Sequence, residues 1–113
     1  MPQSKIIDIK LQMLHSKFIN TTLGLKYLNQ NKTLYLKILE SFRERYLSID
    51  FYALSEEEFE RTVHTIKGLA STLGMEALYQ SIVEFEKTST ELSMSNCCEN
   101  LFLTLKFISN LNY

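Results

Sequence analysis

Proline and glycine are scarce in this chain of 113 residues, which contains one proline, three glycines and no tryptophan. The sole proline is Pro2, so no proline interrupts helical periodicity in the rest of the chain. So few turn residues argue against collagen, glycine-rich linkers and turn-rich β architectures. No apolar run approaches the roughly 18 residues that span a bilayer, and no signal-peptide pattern opens the chain. We therefore expect residues 1–113 to form one cytoplasmic domain that has no contact with a membrane.

Charge and cysteine content point to no specialised class of protein. Twelve Lys and Arg residues stand against 13 Asp and Glu residues, which gives a net charge of −1. A nucleic-acid-binding domain would show a basic surplus, so this class is excluded. The two cysteines are the adjacent Cys97 and Cys98, a spacing that suits neither a disulfide framework nor a zinc site. They are expected to be two ordinary small side chains in a reducing compartment.

Helical periodicity is the main positive signal, because apolar residues recur at spacings of three and four residues along most of the chain. Sustained strand alternation and hairpin turns are absent. The opening stretch, residues 4–15, suits either a short helix or an extended lead-in. Helices are predicted over residues 19–28, 33–51, 55–73, 76–92 and 96–111. Because the connections between them are short, consecutive helices should pack antiparallel.

The predicted fold is all-α: an antiparallel up-down four-helix bundle with one or two extra short N-terminal helices. Its core would span about residues 19–111, after an N-terminal lead-in at residues 1–18. The helices at 33–51, 76–92 and 96–111 each have an apolar face that should point inward. These faces consist of Leu34, Ile38, Phe42, Tyr46 and Ile49, then Leu78, Ile82 and Phe85 with Val83 as a further candidate, then Leu101, Leu105 and Ile108 with Phe102 or Phe107 at the margin.

The helix predicted over residues 55–73 has the clearest start and stop signals. Ser55 and Glu58 have the spacing of a capping box, in which each side chain bonds the other residue's backbone amide. Acidic residues in this first turn also suit the positive end of the helix dipole. Gly74 supplies the stop. The predicted core stripe, whose members lie within about 40° of their mean direction on a helical wheel, is Phe59, Val63, Ile66, Ala70 and Leu73.

His64 departs from this core pattern because it points about 140° away from the stripe. Lys67 lies at about 80°, Glu60 at about 100° and Gly68 at about 180° from the same direction. A glycine in a helix interior costs about 1 kcal/mol relative to alanine, and packing on an exposed face does not require it. Clearance is one physical reason for Gly68, because a Cβ four residues after His64 would stand beside the imidazole.

Together, His64, Lys67 and Gly68 predict a phosphoryl acceptor. An imidazole is largely unprotonated near neutral pH and is then a competent nucleophile. The lysine lies on the neighbouring turn, where it can neutralise a dianionic group on the ring. The glycine leaves a gap beside both. A lone exposed histidine would be merely solvated, so the prediction depends on all three residues at His-x-x-Lys-Gly spacing.

The segment from Val63 to Gly74, VHTIKGLASTLG, closely resembles the phosphoacceptor helix of histidine-containing phosphotransfer (HPt) domains, which are phosphorelay intermediates. The resemblance covers about residues 19–111, since a short helix precedes a long one upstream and a further helix follows downstream. It implies that His64 is phosphorylated through Nε2 and that Lys67 supports the phosphoryl group electrostatically. It also implies that Gly68 leaves space for a partner and that Gly74 shapes the helix junction.

The resemblance also implies a polar side chain on the next helix that bonds the imidazole and orients it. Glu86, 22 residues after His64, is the candidate for that role. Relatives carry glutamine or a basic residue there, so this carboxylate is a departure from the family pattern, and it would favour the protonated ring. Leu69, where relatives commonly have Ser or Ala, is a smaller departure at the margin of the core.

An HPt domain carries phosphate without being an enzyme in its own right. Gly24, Gly68 and Gly74 form no phosphate-cradling loop, and no Asp-rich cluster suggests a magnesium site, so the chain has no ATP site and is not a kinase. The expected partners are response-regulator receiver domains, which would hold the Mg²⁺, and a hybrid sensor histidine kinase. The chain itself is expected to be a monomer with no cofactor and no metal. Met75 and the exposed edges of the two helices before His64 are candidates for the docking surface, with ordinary surface as the alternative.

Two other interpretations remain open. One is a helical adaptor that binds a receiver or kinase while His64 never carries phosphate. The other is a metal-binding bundle that uses His15 and His64, although Glu60 is the sole further ligand candidate at helical spacing. Under the HPt interpretation His15 is a solvated or boundary residue. The initial Met1 favours a whole protein over a piece of a hybrid kinase.

Overall fold

Helices account for all the regular structure in residues 2–110, the part of the chain that the structure, a computed structural model, describes; side chains are described for residues 5–110. Within this range there are six α-helices, one short 3-10 turn at Phe51–Ala53, and no strand. The helices are α1 (Pro2–Leu14), α2 (Thr21–Tyr27), α3 (Lys32–Tyr46), α4 (Glu56–Leu73), α5 (Glu76–Thr88) and α6 (Glu91–Ser109). The all-α prediction is confirmed. The predicted helix end at residue 111 lies outside the described residues.

The opening stretch, which the sequence left undecided, is helical. Two of its side chains, Leu11 and Leu14, are buried and belong to the same hydrophobic core as the later helices. The expected lead-in therefore takes part in packing the fold.

Three predicted helix boundaries are wrong, and in each case a local cap explains the difference. The helix at 33–51 ends at Tyr46, and Asp50 then caps the 3-10 turn by accepting a hydrogen bond from the Tyr52 amide at 3.1 Å. The helix at 76–92 ends at Thr88, because Ser89 adopts a left-handed conformation with φ of 50°. The last helix begins at Glu91, five positions before the predicted residue 96, where Thr90 and Ser93 form a capping box.

The inward face of α3 is also different from the predicted one. Leu34 is 42% exposed and Ile38 only partly buried, whereas Tyr35 and Leu39 lie in the core. The Tyr35 hydroxyl donates a hydrogen bond to the Leu73 carbonyl oxygen at 2.7 Å, and this contact links the buried face of α3 to the end of α4. The prediction holds for Phe42 and Tyr46, which are buried, while Ile49 lies beyond the helix and is partly buried.

The core formed by α4, α5 and α6 matches the predicted apolar faces. The main predicted inward residues of these three helices are buried; they are Phe59, Val63, Ile66, Ala70, Leu73, Leu78, Ile82, Phe85, Leu101, Leu105 and Ile108. Of the further candidates, Val83 and Phe107 are partly buried and Phe102 is exposed. Helix α5 packs against both α4 and α6, and α4 also contacts α2. Edge-to-face contacts between Phe59 and both Phe51 and Phe85 tie the 3-10 turn to this core. None of the helices in residues 2–110 combines the length and apolar character that a bilayer crossing requires.

Candidate functional site

Helix α4 carries the candidate site and is fixed at both of its ends. At the start, Ser55 and Glu58 form the predicted capping box, with Ser55 Oγ accepting from the Glu58 amide at 3.1 Å. At the end, Gly74 adopts a left-handed conformation with φ of 80°. The Asn20 amide donates to the Gly74 carbonyl oxygen at 2.7 Å, which attaches this end to the start of α2. The helix is therefore a firm support for the side chains that project from it.

The outward face of α4 presents the predicted histidine to solvent. The His64 side chain is 70% exposed, although its neighbours Val63 and Ile66 are buried. Two small residues, Gly68 and Ser71, follow it by one and two turns and are also exposed. A Cβ added to Gly68 would meet no other described atom within 4 Å. Packing inside the chain therefore gives no reason for a glycine at this position.

Glu86 on α5 contacts the imidazole. Its Oε2 lies 2.9 Å from Nδ1 of His64 across the α4–α5 interface. The chain turns at Gly74 and Met75, and this short connection brings the two side chains together although 22 residues separate them in sequence. Because one ring nitrogen is held, the imidazole has a defined orientation while most of its surface stays open.

The same carboxylate also binds Lys67, a contact that the sequence analysis missed. Lys67 Nζ donates to Glu86 Oε1 at 2.6 Å, so each oxygen of Glu86 has its own partner. Once His64 and Glu86 were paired across a helical hairpin, the position of Lys67 one turn after His64 could have indicated it. Within the described residues, His64, Lys67 and Glu86 thus form one cluster.

The charges in this cluster stabilise one another. The hydrogen bond to Lys67, and then the one to His64, lower the pKa of Glu86 below its ordinary value of 4.5. The hydrogen bond to Glu86 in turn raises the pKa of Lys67. At neutral pH the site therefore contains an ionised carboxylate between an ammonium group and an imidazole.

The ionised carboxylate determines where the proton of the imidazole lies. A carboxylate without a proton can only accept hydrogen bonds, so Nδ1 of His64 must be the donor in the 2.9 Å contact. In the neutral ring the lone pair is then on Nε2, which has no hydrogen-bond partner among residues 5–110. The arrangement presents an unpaired ring nitrogen, a nearby cation and open space to anything that approaches α4.

The remaining predicted residues lie elsewhere. Met75 is fully buried, so the prediction that it contributes to a docking surface is wrong; the short connection between α4 and α5 turns its side chain into the core. Leu69 is partly buried at the core margin and Glu60 is exposed one turn before His64. Cys97 is buried and Cys98 partly buried, both as free thiols.

The second histidine has a local structural contact. Nδ1 of His15 accepts a hydrogen bond from the Thr21 amide at 3.2 Å, which satisfies a backbone donor at the start of α2. His15 is exposed, and neither ring nitrogen contacts a carboxylate among the described residues. No group of three His, Cys, Asp or Glu residues that could hold a metal ion occurs in residues 5–110.

Comparison of the chain with protein-family models, with curated proteins and with solved structures finds no match in any of the three. The functional argument therefore depends on the residues of α4 and α5 themselves.

Proposed function

We propose that this chain is a histidine phosphotransfer domain that relays a phosphoryl group between the aspartates of receiver domains through His64. The observation that carries the proposal is the imidazole of His64, which is 70% exposed and held at Nδ1 by the Glu86 carboxylate at 2.9 Å. This contact leaves Nε2 as the nucleophile. Relay of this kind is a cytoplasmic signalling activity and needs no ATP site in this chain.

In the proposed transfer, the Nε2 lone pair of His64 attacks the phosphorus of an aspartyl phosphate in line with the bond that breaks. The aspartate leaves with that bond's electron pair as a carboxylate, and the proton stays on Nδ1. Lys67 approaches the phosphoryl oxygens as a compact positive charge. The receiver supplies the Mg²⁺ and most of the transition-state stabilisation. Transfer to a second receiver follows the same path in reverse.

The proposed architecture is an antiparallel up-down bundle of α3, α4, α5 and α6, preceded by the two N-terminal helices. The connection of α4 to α5 and that of α5 to α6 are two residues long, which favours antiparallel neighbours. In such a bundle the middle of α4 is far from the loops, so a receiver would approach the side of the bundle.

Transfer from a phosphorylated receiver tests the function directly. The chain is mixed with a receiver that carries labelled aspartyl phosphate and Mg²⁺, isolated, and digested to locate the label. The expected result is an acid-labile, alkali-stable phosphate on the fragment that contains His64. If several receivers leave the chain unlabelled, or if the chain binds them without acquiring phosphate, the relay proposal is wrong and the adaptor interpretation is favoured.

Gly68→Ala should separate stability from transfer. The added methyl group meets no described atom of the chain and restores the helix propensity, so the free energy of unfolding should rise by about 1 kcal/mol. The same methyl group would stand in the path of the receiver, and transfer should slow by about tenfold. Urea unfolding and the rate of label transfer measure the two effects. Unchanged transfer would contradict the clearance role of Gly68.

Lys67→Ala should slow transfer by about tenfold, because one positioned cation no longer stabilises the phosphoryl oxygens. The fold should persist, since an exposed ion pair contributes little to stability. Lys32→Ala is the control: Lys32 also forms an ion pair between two helices, with Asp8 at 2.8 Å between α3 and α1, and this pair is more exposed than that of Lys67 with Glu86. For both variants, quenched transfer assays measure the rate of transfer and thermal unfolding curves measure the stability of the fold. If Lys67→Ala is unfolded and Lys32→Ala is not, Lys67 has a structural role.

A further inference from the structure

The carboxylate of Glu86 has a consequence for the phosphorylated state of His64 that goes beyond orientation. In the cluster, each oxygen of Glu86 has one partner: Nδ1 of His64 at 2.9 Å and Nζ of Lys67 at 2.6 Å. A neutral amide at this position could also accept the Nδ1 hydrogen bond, so orientation alone does not require a charge. The negative charge of Glu86 adds a second effect, on the protonation of the ring.

A phosphorylated imidazole needs a proton on its other nitrogen in order to release the phosphoryl group easily. When the Nε2–P bond breaks, its electron pair returns to Nε2. If Nδ1 carries a proton, the ring departs as neutral imidazole; if Nδ1 is bare, the ring departs as an imidazolate anion, which is a far poorer leaving group. A phosphorylated ring that keeps this proton is positively charged. A neighbouring carboxylate stabilises this positive charge.

On the basis of the proposed function, we propose that Glu86 makes phosphorylated His64 a strong phosphoryl donor by retaining the proton on Nδ1 while the Nε2–P bond breaks. The phosphoryl group passes to a carboxylate oxygen of the receiver aspartate, where the new O–P bond forms. The proton stays between Nδ1 and Glu86, and neutral imidazole remains. Transfer from phosphorylated His64 to the receiver is then faster than it would be beside a neutral side chain. Glu86 acts through the ring, so it is a positioning residue.

Lys67 adjusts this effect. In the unphosphorylated site its ammonium group neutralises part of the Glu86 charge across 2.6 Å. A dianionic phosphoryl group on Nε2 attracts Lys67, and the full charge of Glu86 then acts on Nδ1.

Other titratable groups lie on the same two helices. Glu60 and Arg61 are exposed on α4, and Tyr79 on α5 faces Lys67. Among residues 5–110, Glu86 is the ionised side chain within ion-pair distance of the His64 ring.

Glu86→Gln tests the inference, because it keeps the size and the acceptor oxygen of the side chain and removes its charge. Wild type and variant are phosphorylated with phosphoramidate, a small donor that requires no kinase or receiver. After isolation, loss of phosphate from the fragment containing His64 is followed by mass spectrometry between about pH 5 and pH 8. Near neutral pH the phosphorylated variant should last about threefold to tenfold longer than wild type, because less of its ring carries the proton. In a plot of phosphate lifetime against pH, the curve of the variant should lie at lower pH than that of wild type.

Glu84→Gln is the matched control. It removes the same charge from an exposed position on the same helix and should give the wild-type lifetime profile. In mixtures with a receiver and Mg²⁺, Glu86→Gln should also transfer label from His64 to the receiver about threefold to tenfold more slowly. Circular dichroism should be the same for all three proteins, since Glu86 lies at the surface.

The results distinguish this inference from the relay itself. Coincident lifetime profiles of wild type and Glu86→Gln, or a shorter lifetime of the variant, would overturn the inference even if receivers label His64 normally. A longer lifetime of the variant supports the effect of Glu86 on the ring. If that longer lifetime is seen and no receiver labels the chain, the relay proposal fails while the chemistry assigned to Glu86 stands.

Discussion

Replacement of His64 by glutamine is expected to abolish receiver-dependent labelling, with a loss of about a thousandfold or more, because it removes the nucleophile itself. Lys67, Glu86 and the open surface at Gly68 all remain in this variant, yet none of them offers a nitrogen lone pair. The fold should be retained. His64 is 70% exposed, so the free energy of unfolding should change by no more than about 0.5 kcal/mol. The measurement is the amount of label recovered after incubation with a phosphorylated receiver.

His15→Gln is the control for this prediction. His15 is the other histidine of the chain and is also exposed, but its Nδ1 accepts a hydrogen bond from the Thr21 amide and has no carboxylate partner among the described residues. Labelling of His15→Gln should equal that of wild type. Equal labelling of wild type and His64→Gln would show that the phosphate lies elsewhere, and loss of labelling in His15→Gln would implicate the wrong histidine.

The sequence was most informative where structure is determined locally. The start of α4 depends on Ser55 and Glu58, three residues apart, and its end depends on Gly74, so both boundaries could be predicted. The inward stripe of α4 and the exposure of His64 follow from one helical period. The three residues behind the proposed phosphoryl acceptor, His64, Lys67 and Gly68, lie within five consecutive positions of this helix.

Prediction failed where a distant contact decided the outcome. The inward face of α3 contains Tyr35, whose hydroxyl donates a hydrogen bond to the Leu73 carbonyl oxygen, 38 residues away. Leu34 and Tyr35 are both apolar enough to serve as core residues by pattern alone. Met75 follows a helix stop, and this position suggested a surface residue. The turn into α5 buries its side chain instead. Local periodicity shows neither that the Leu73 carbonyl oxygen is available to Tyr35 nor which way the chain turns between α4 and α5.

The candidate site likewise has one contact that was predicted and one that was not. The resemblance to HPt domains pointed to Glu86 as the partner of His64, and in the structure the two side chains lie 2.9 Å apart. The second contact of Glu86, with Lys67, depends on the length and direction of both side chains, which a spacing argument does not include. Under the proposed function this second contact sets how much of the carboxylate charge acts on the imidazole.

The largest loss of stability among these variants is expected for Gly74→Ala. Gly74 has a φ of 80°, in the left-handed region that alanine adopts only at a cost. A Cβ at this position would also overlap the backbone carbonyl oxygen of Asn20, the residue that caps α2. Backbone cannot move aside as a flexible side chain does, so the free energy of unfolding should fall by about 2 to 4 kcal/mol. Urea unfolding of wild type and variant measures this.

Gly74→Asn separates the two causes of this loss, because asparagine tolerates a left-handed backbone better than alanine but carries the same Cβ. If the overlap with Asn20 dominates, both variants should be equally unstable; if the backbone angle dominates, Gly74→Asn should recover much of the loss. Gly68→Ala, in the same helix, should change stability in the opposite direction, since its Cβ meets open space. A Gly74→Ala variant as stable as wild type would contradict the described junction of α2 and α4. Below its unfolding midpoint Gly74→Ala should still accept phosphate, because Gly74 lies more than two helical turns from His64 and does not contact the cluster with Lys67 and Glu86.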